Sequence, residues 1–217
     1  IFNFAAGLLL AIITNSRRIK FKGLWRAIFI LPYAVPSFVS LLVFRLMFNG
    51  LGPINALLHT NIPFLTDPTG AKIIAILVNT WLGAPYFMVL ISGALTNISS
   101  SLYEAADIDG ATEWQKFKNI TFPMLWIQLG STMILTFAFN FNNFGAIYLL
   151  TNGLPADSSL RYAGHTDILV SWIYKLTMDN NLFSLAATVT IFIFLFVASI
   201  SLLTLARSKT FNQEAVL

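Results

Sequence analysis

Five long apolar runs, at residues 2–14, 24–48, 71–95, 124–151 and 183–206, alternate with polar connections. Runs of that length predict transmembrane helices, or most of one, so the expected fold class is all-α: a polytopic transmembrane helical bundle with about five spans. Pro32 and Pro36 interrupt the second run in ILPYAVPSF. Proline removes a helical hydrogen bond and kinks the rod, which a membrane tolerates where neighbouring protein satisfies the freed carbonyl. Residues 49–70 hold Gly50, Gly52, Pro53, Pro63 and Pro68 and read as an irregular loop. Residues 152–181 form a longer, mixed loop with Arg161, His165, Asp167, Lys175 and Asp179, of a length common in docking surfaces. The first run is short and opens at Ile1, so the expectation is a fragment lacking its upstream part. No secretory signal pattern is visible.

Composition agrees with the runs. The chain is 57% hydrophobic and 10% charged, with a mean hydropathy of +0.75; soluble domains average about 25% charged residues. The absence of cysteine excludes disulfide and thiol chemistry. A net charge of +4 invites a nucleic-acid reading, but its distribution argues against one. Arg17, Arg18, Lys20, Lys22 and Arg26 cluster between the first two runs, and Arg207 and Lys209 follow the last. That is the positive-inside signature of a cell-membrane protein. It places the first loop, the third loop and the C-terminus in the cytoplasm, and the loops at 49–70 and 152–181 outside. Lys116 and Lys118 support the third loop more weakly. The whole of 1–217 reads as one membrane domain. His59 and His165 have no partner at metal-ligand spacing and read as solvated loop residues. Arg45 reads as a snorkelling interface residue.

Two membrane runs carry polar stripes. Asn79, Leu82, Gly83 and Tyr86 have offsets 0, 3, 4 and 7, and so do Thr136, Phe139, Asn140 and Asn143; those offsets mark one face of a helix. Each stripe mixes an amide or hydroxyl, a ring and a small or apolar group. Asparagine donates and accepts, as sugar hydroxyls do, and rings pack against the CH faces of sugars. Neither stripe has the arginine or lysine that an anion calls for. The eight residues are therefore candidate contacts for a neutral solute. The other reading is that the asparagines join helices to one another; Asn142, off the stripe, fits that reading better.

Residues 99–123, SSSLYEAADIDGATEWQKFKNITFP, form the most informative loop. Ser100 or Ser101 is placed to cap one short helix, Gly110 to turn the chain, and 112–119 to form a second. Their apolar groups need a partner surface, unless the pair lies on the bilayer. Here the sequence resembles a known family. Glu104-Ala105-Ala106, Gly110 six residues after the glutamate, Ile120, and Pro123 nineteen after it reproduce the EAA motif of importer-type ABC permeases. ILPYAVPSF (30–38), VNTWLGAPY (78–86), FAFNFNNF (137–144) and LLTNGLP (149–155) are similar to the larger permease subunits of maltose/maltodextrin importers.

The resemblance implies the type I importer permease fold. It implies that Glu104, Ala105, Ala106 and Gly110 couple to an ATPase. It implies that Asn79, Leu82, Gly83, Tyr86, Thr136, Phe139, Asn140 and Asn143 line a sugar site. The implied partners are a second permease subunit, a cytoplasmic ATPase dimer that binds ATP and magnesium, an extracytoplasmic sugar-binding protein and membrane lipid. No cofactor, metal or nucleic acid is expected in this chain. The sequence has no Gly-Lys dipeptide and hence no Walker A loop, no paired intramembrane carboxylates, and no nucleophile–base constellation. A transport subunit without its own ATPase or catalytic site is expected. The alternatives are a permease for another neutral sugar or a polyol, and a stand-alone secondary transporter.

Overall fold

The computed structural model describes residues 1–16 and 19–207, and its described residues are almost all helix or connection. The membrane part contains α1 (Phe2–Asn15), α2 (Lys22–Ala34), α3 (Ser37–Met47) and, after the short α4 (Pro53–Leu58), the central α5 (Pro68–Thr96). Next come α6 (Ser100–Ile108), α7 (Glu113–Lys116), α8 (Phe122–Phe141), α9 (Phe144–Leu150), α10 (Leu169–Tyr174) and α11 (Phe183–Arg207). Arg17, Arg18 and Lys209, on which part of the expected orientation rests, lie outside the described residues, as does the C-terminus.

The organising element is α5. Its 29 residues reach about 44 Å at 1.5 Å per residue, and α1, α2, α3, α8 and α9 all pack on it. Asp67 caps its start, accepting a 2.7 Å bond from the Gly70 amide, and Pro68 follows where its missing N–H costs nothing. On one side Phe87, Met88, Ile91 and Ala94 form a core with Ala11 of α1 and Leu125 and Leu129 of α8. Gly7 lets α1 approach closely, because a Cβ there would run into Phe87. On the other side Ile74 and Val78 meet Leu41 of α3 and Leu150 of α9.

The apolar runs map onto spans less simply than expected. Among the described residues three helical stretches, Pro68–Thr96, Glu113–Phe141 and Phe183–Leu203, are long and apolar enough to cross a membrane. The second run is a broken pair, α2 and α3, bent by 89° where Val35 meets Pro36. Pro32 sits inside α2, and the break falls at Pro36, whose carbonyl accepts from Val39 and Ser40 to start α3. With 14 residues, α1 reaches about 21 Å, less than the ~30 Å hydrocarbon core.

The fourth run also splits. α8 ends at Phe141; Asn142 turns its amide back to the Ala138 carbonyl at 3.0 Å, and Asn143 caps α9 by accepting from Ala146. Adjacent asparagines offer the backbone side-chain partners that compete with the helix ladder. The single helical face expected from Thr136 to Asn143 is therefore corrected: Asn143 belongs to the start of the next helix.

In the third loop the cap is Ser99, whose hydroxyl accepts from the Ser101 amide at 3.3 Å, one residue before the expected position. Gly110, at φ +75°, makes the turn. The expected second helix is not separate. α7 runs through a π-helical turn at Phe117–Thr121 into α8, giving one helical path from Glu113 to Phe141. Pro123 lacks an N–H, and the wider turn before it absorbs the mismatch.

A candidate solute site between three helices

The two polar stripes meet through one hydrogen bond. The Asn79 side chain on α5 donates to Oδ1 of Asn140 on α8 at 3.3 Å. Asn140 in turn donates to the Thr136 carbonyl at 2.8 Å, and the Thr136 hydroxyl donates to the Thr132 carbonyl at 2.7 Å. These groups open onto a cavity of about 200 Å³ between α1, α5 and α8. Its polar wall is Asn3, Asn79, Thr80, Thr136 and Asn140; its apolar wall includes Phe4, Ile76, Phe87, Met133 and Phe137. No charged side chain lines it. Such a lining offers neutral donors and acceptors beside rings, which suits a polyhydroxylated neutral solute.

Of the eight expected site residues, the structure brings Asn79, Thr136 and Asn140 to this cavity. Gly83 lies at its edge, beneath the Asn3 side chain. Leu82 turns the other way and packs with the Leu41–Val78–Leu150 cluster. Tyr86 stacks on Tyr33 of α2, with ring centroids 6.4 Å apart, and lines a second, apolar cavity of about 150 Å³. Phe139 is 72% exposed, and Asn143 is the α9 cap. Sequence reasoning missed Asn3 and Tyr33. Asn3 carries the same signal as the others, an amide inside an apolar run.

The third loop presents a separate surface. Glu104 and Ala105 are exposed, Ala106 is half-buried, and Leu102, Ile108 and Trp114 are 43%, 87% and 69% exposed. The scaffold beneath is tied down. The buried ammonium of Lys116 pairs with Asp107 of α6 and, at 2.8 Å, with Glu113. Tyr103 bonds Thr121 at 2.9 Å, and Thr112 and Gln115 form a capping box. The apolar groups face outward from a rigid base.

The loop at 152–181 is also built rather than loose. Asp167, its side chain 3% exposed, accepts from Lys175 at 2.7 Å, Ser171 at 2.8 Å and the Gly164 amide at 2.7 Å. Near its tip, Asp157 is held below the usual carboxylate range, first by the Ser159 hydroxyl and then by the Ser159 amide. His165 faces it at 3.6 Å, and His59 is exposed. Among the described residues no group of three metal-ligating side chains gathers.

The family of binding-protein-dependent transport system inner membrane components matches residues 4–210. The chain belongs to that family. It is accordingly a multi-pass membrane segment. The galactooligosaccharides transport system permease protein GanP of Bacillus subtilis (strain 168) is 45% identical over 96% of this chain and 51% of its own length. The maltodextrin transport system permease protein MalC of Streptococcus pneumoniae (TIGR4) is 45% identical over 97% and 51%. The maltose/maltodextrin transport system permease protein MalF of Yersinia pestis is 43% identical over 96% and 41%. The chain thus spans about half the length of the curated relatives it matches or less. Among solved structures, a bacterial ABC transporter involved in the import of the acidic polysaccharide alginate superposes with a TM-score of 0.73 at 24% identity, over 96% of this chain and 73% of that one. That likeness shows the fold: a helical bundle, as the apolar runs predict.

Proposed function

We propose that this chain is part of a permease subunit of an ATP-driven importer for neutral oligosaccharides, with maltodextrin as the favoured cargo. The observation that supports the reading is the Asn79–Asn140 contact at a ring-flanked cavity between α1, α5 and α8 that no charged side chain lines. A binding protein outside delivers the sugar to the outer loops at 49–70 and 152–181. A second permease subunit completes the path, and a cytoplasmic ATPase pair supplies ATP and magnesium chemistry that this chain does not perform. Glu104, Ala105, Ala106 and Gly110 form the docking element for that ATPase, with the third loop and the C-terminus in the cytoplasm. Movement of α6 passes through Lys116 into α7 and hence along the unbroken path to Thr136 and Asn140, so the cavity changes the side it faces.

Leu82, Gly83, Tyr86, Phe139 and Asn143 remain candidate sugar contacts for the state in which the helices rock and the two cavities join. A second reading replaces maltodextrin by a galactooligosaccharide, supported by a relative of that name at the same 45% identity. The test is ATP-dependent uptake of maltotriose and of a galactotriose by the reconstituted complex with its binding protein. Uptake that needs neither ATP nor partners would overturn the importer reading in favour of a stand-alone carrier.

A further inference from the structure

We propose that Asn3 on α1 is a third hydroxyl-binding amide of the cavity and a determinant of which sugars it accepts; this rests on the transport reading above. Asn79 and Asn140 already engage each other, and Asn140 also engages the Thr136 carbonyl. Asn3 lines the same cavity, is half-buried, and its side chain makes no hydrogen bond to any described residue. Its polar atoms are not sealed from solvent, so they are open to a polar visitor or to water that a visitor displaces.

Gly83 acquires a specific role in this arrangement. A Cβ at position 83 would collide with the Asn3 amide nitrogen, so the missing side chain is what seats Asn3 against α5. Three helices then each present an amide to one space: Asn3 from α1, Asn79 from α5 and Asn140 from α8. Three amides on three walls read the orientation of several hydroxyls at once, whereas a lone pair on two walls reads fewer. Losing one neutral hydrogen bond to a hydroxyl weakens binding by about threefold to tenfold.

Residues 1–217 contain no cysteine, so Asn3→Cys adds one thiol to them, and labelling of the wild-type complex serves as the blank. In the full complex in proteoliposomes, a hydrophilic thiol reagent is expected to label N3C, and saturating maltotriose or galactotriose to slow that labelling. Asn3→Ala is expected to raise the uptake KM about threefold to tenfold. It is also expected to erase the wild-type preference for the parent sugar over one monodeoxy analogue, which a purely structural residue would leave intact. An unreactive N3C, labelling untouched by both sugars, or an N3A complex with wild-type KM and deoxy preference would each overturn the assignment. Absence of ATP-driven uptake by the wild type would sink the transport reading instead, and the labelling arms would still decide Asn3.

Discussion

Asn79 and Asn140 stand 61 positions apart in sequence and touch at 3.3 Å, tying the central helix to the one that leads to the third loop. One hydrogen bond between membrane helices is worth about 0.6 kcal/mol on average. If the pair only joined helices, removing it would cost that and nothing more. If it also receives a sugar, transport falls far more than stability does.

Asn79→Ala and Asn140→Ala are therefore expected to lower kcat/KM for sugar uptake at least about tenfold, the effect of 1.4 kcal/mol. The thermal midpoint of the purified complex should move by only about 2 °C. Paired uptake and melting measurements check this. Equal, small effects on both would reduce the contact to helix packing.

Gly110 adopts φ +75° between α6 and α7. A side chain in that left-handed conformation costs about 1–2 kcal/mol, so Gly110→Ala should bend the α6–α7 angle rather than unfold the bundle. Glu104→Ala leaves the backbone alone and alters only the exposed face. Both are expected to raise the number of ATP molecules hydrolysed per sugar imported while membrane insertion stays normal. Wild-type stoichiometry in both variants would remove α6 from the coupling path.

Lys116 carries a different part of the same element. Its ammonium is covered, while its partners Asp107 and Glu113 are open to solvent. Lys116→Met keeps the aliphatic stem and deletes the pairing, so α6 should loosen from α7 without loss of the core. Faster proteolysis within residues 100–112, reversed in Lys116→Arg, is the expected result.

Much of this fold was legible from apolar runs because membrane helices must satisfy their own backbone. The all-α bundle, the long central helix and the exposed Glu104 surface all followed from local pattern and spacing. What failed was straightness. Offsets of 0, 3, 4 and 7 place Thr136 and Asn143 on one face only if the helix continues, and side-chain bonding at Asn142 and Asn143 ends it. Likewise the interval from Leu24 to Phe48 counts as one span in hydropathy, but it bends by 89° at Pro36. Asn79 and Asn140 were found because each is an amide in the middle of an apolar run. Leu82 and Tyr86 share a stripe with Asn79 yet face two other seams, since a helix packed on several neighbours sends adjacent positions to different partners.

The loop at 152–181 should respond to acid. Bonds from Ser159 favour the charged form of Asp157, so its folded pKa lies below its unfolded value of about 3.9. A carboxylate depressed in this way stabilises the loop above the unfolded pKa, and that contribution is lost as pH falls through the folded one. Hydrogen-exchange protection of residues 157–165, relative to the intrinsic rate at each pH, should therefore hold at pH 5–7 and fall only below about pH 4. Ser159→Ala removes the largest favourable bond and should move the transition to higher pH, towards the unfolded value.

Asp167 ties that loop together internally, and its removal makes the sharpest separation between local and global effects. The carboxylate is 3% exposed and holds Lys175, Ser171 and the Gly164 amide together. Asp167→Ala leaves the Lys175 ammonium, 15% exposed, with no counter-charge at this position. Deleting one partner of a buried pair costs about 3–5 kcal/mol, because the remaining charge is stranded. That cost falls on residues 152–181, since the core between α1, α5 and α8 shares none of these bonds. The variant should insert and hold the Asn79–Asn140 contact, yet lose sugar-loaded binding-protein docking and the ATP hydrolysis it stimulates. Pull-down by the binding protein, set against basal ATPase activity, measures both. Docking that survives Asp167→Ala would mean this loop is not the surface the binding protein reads.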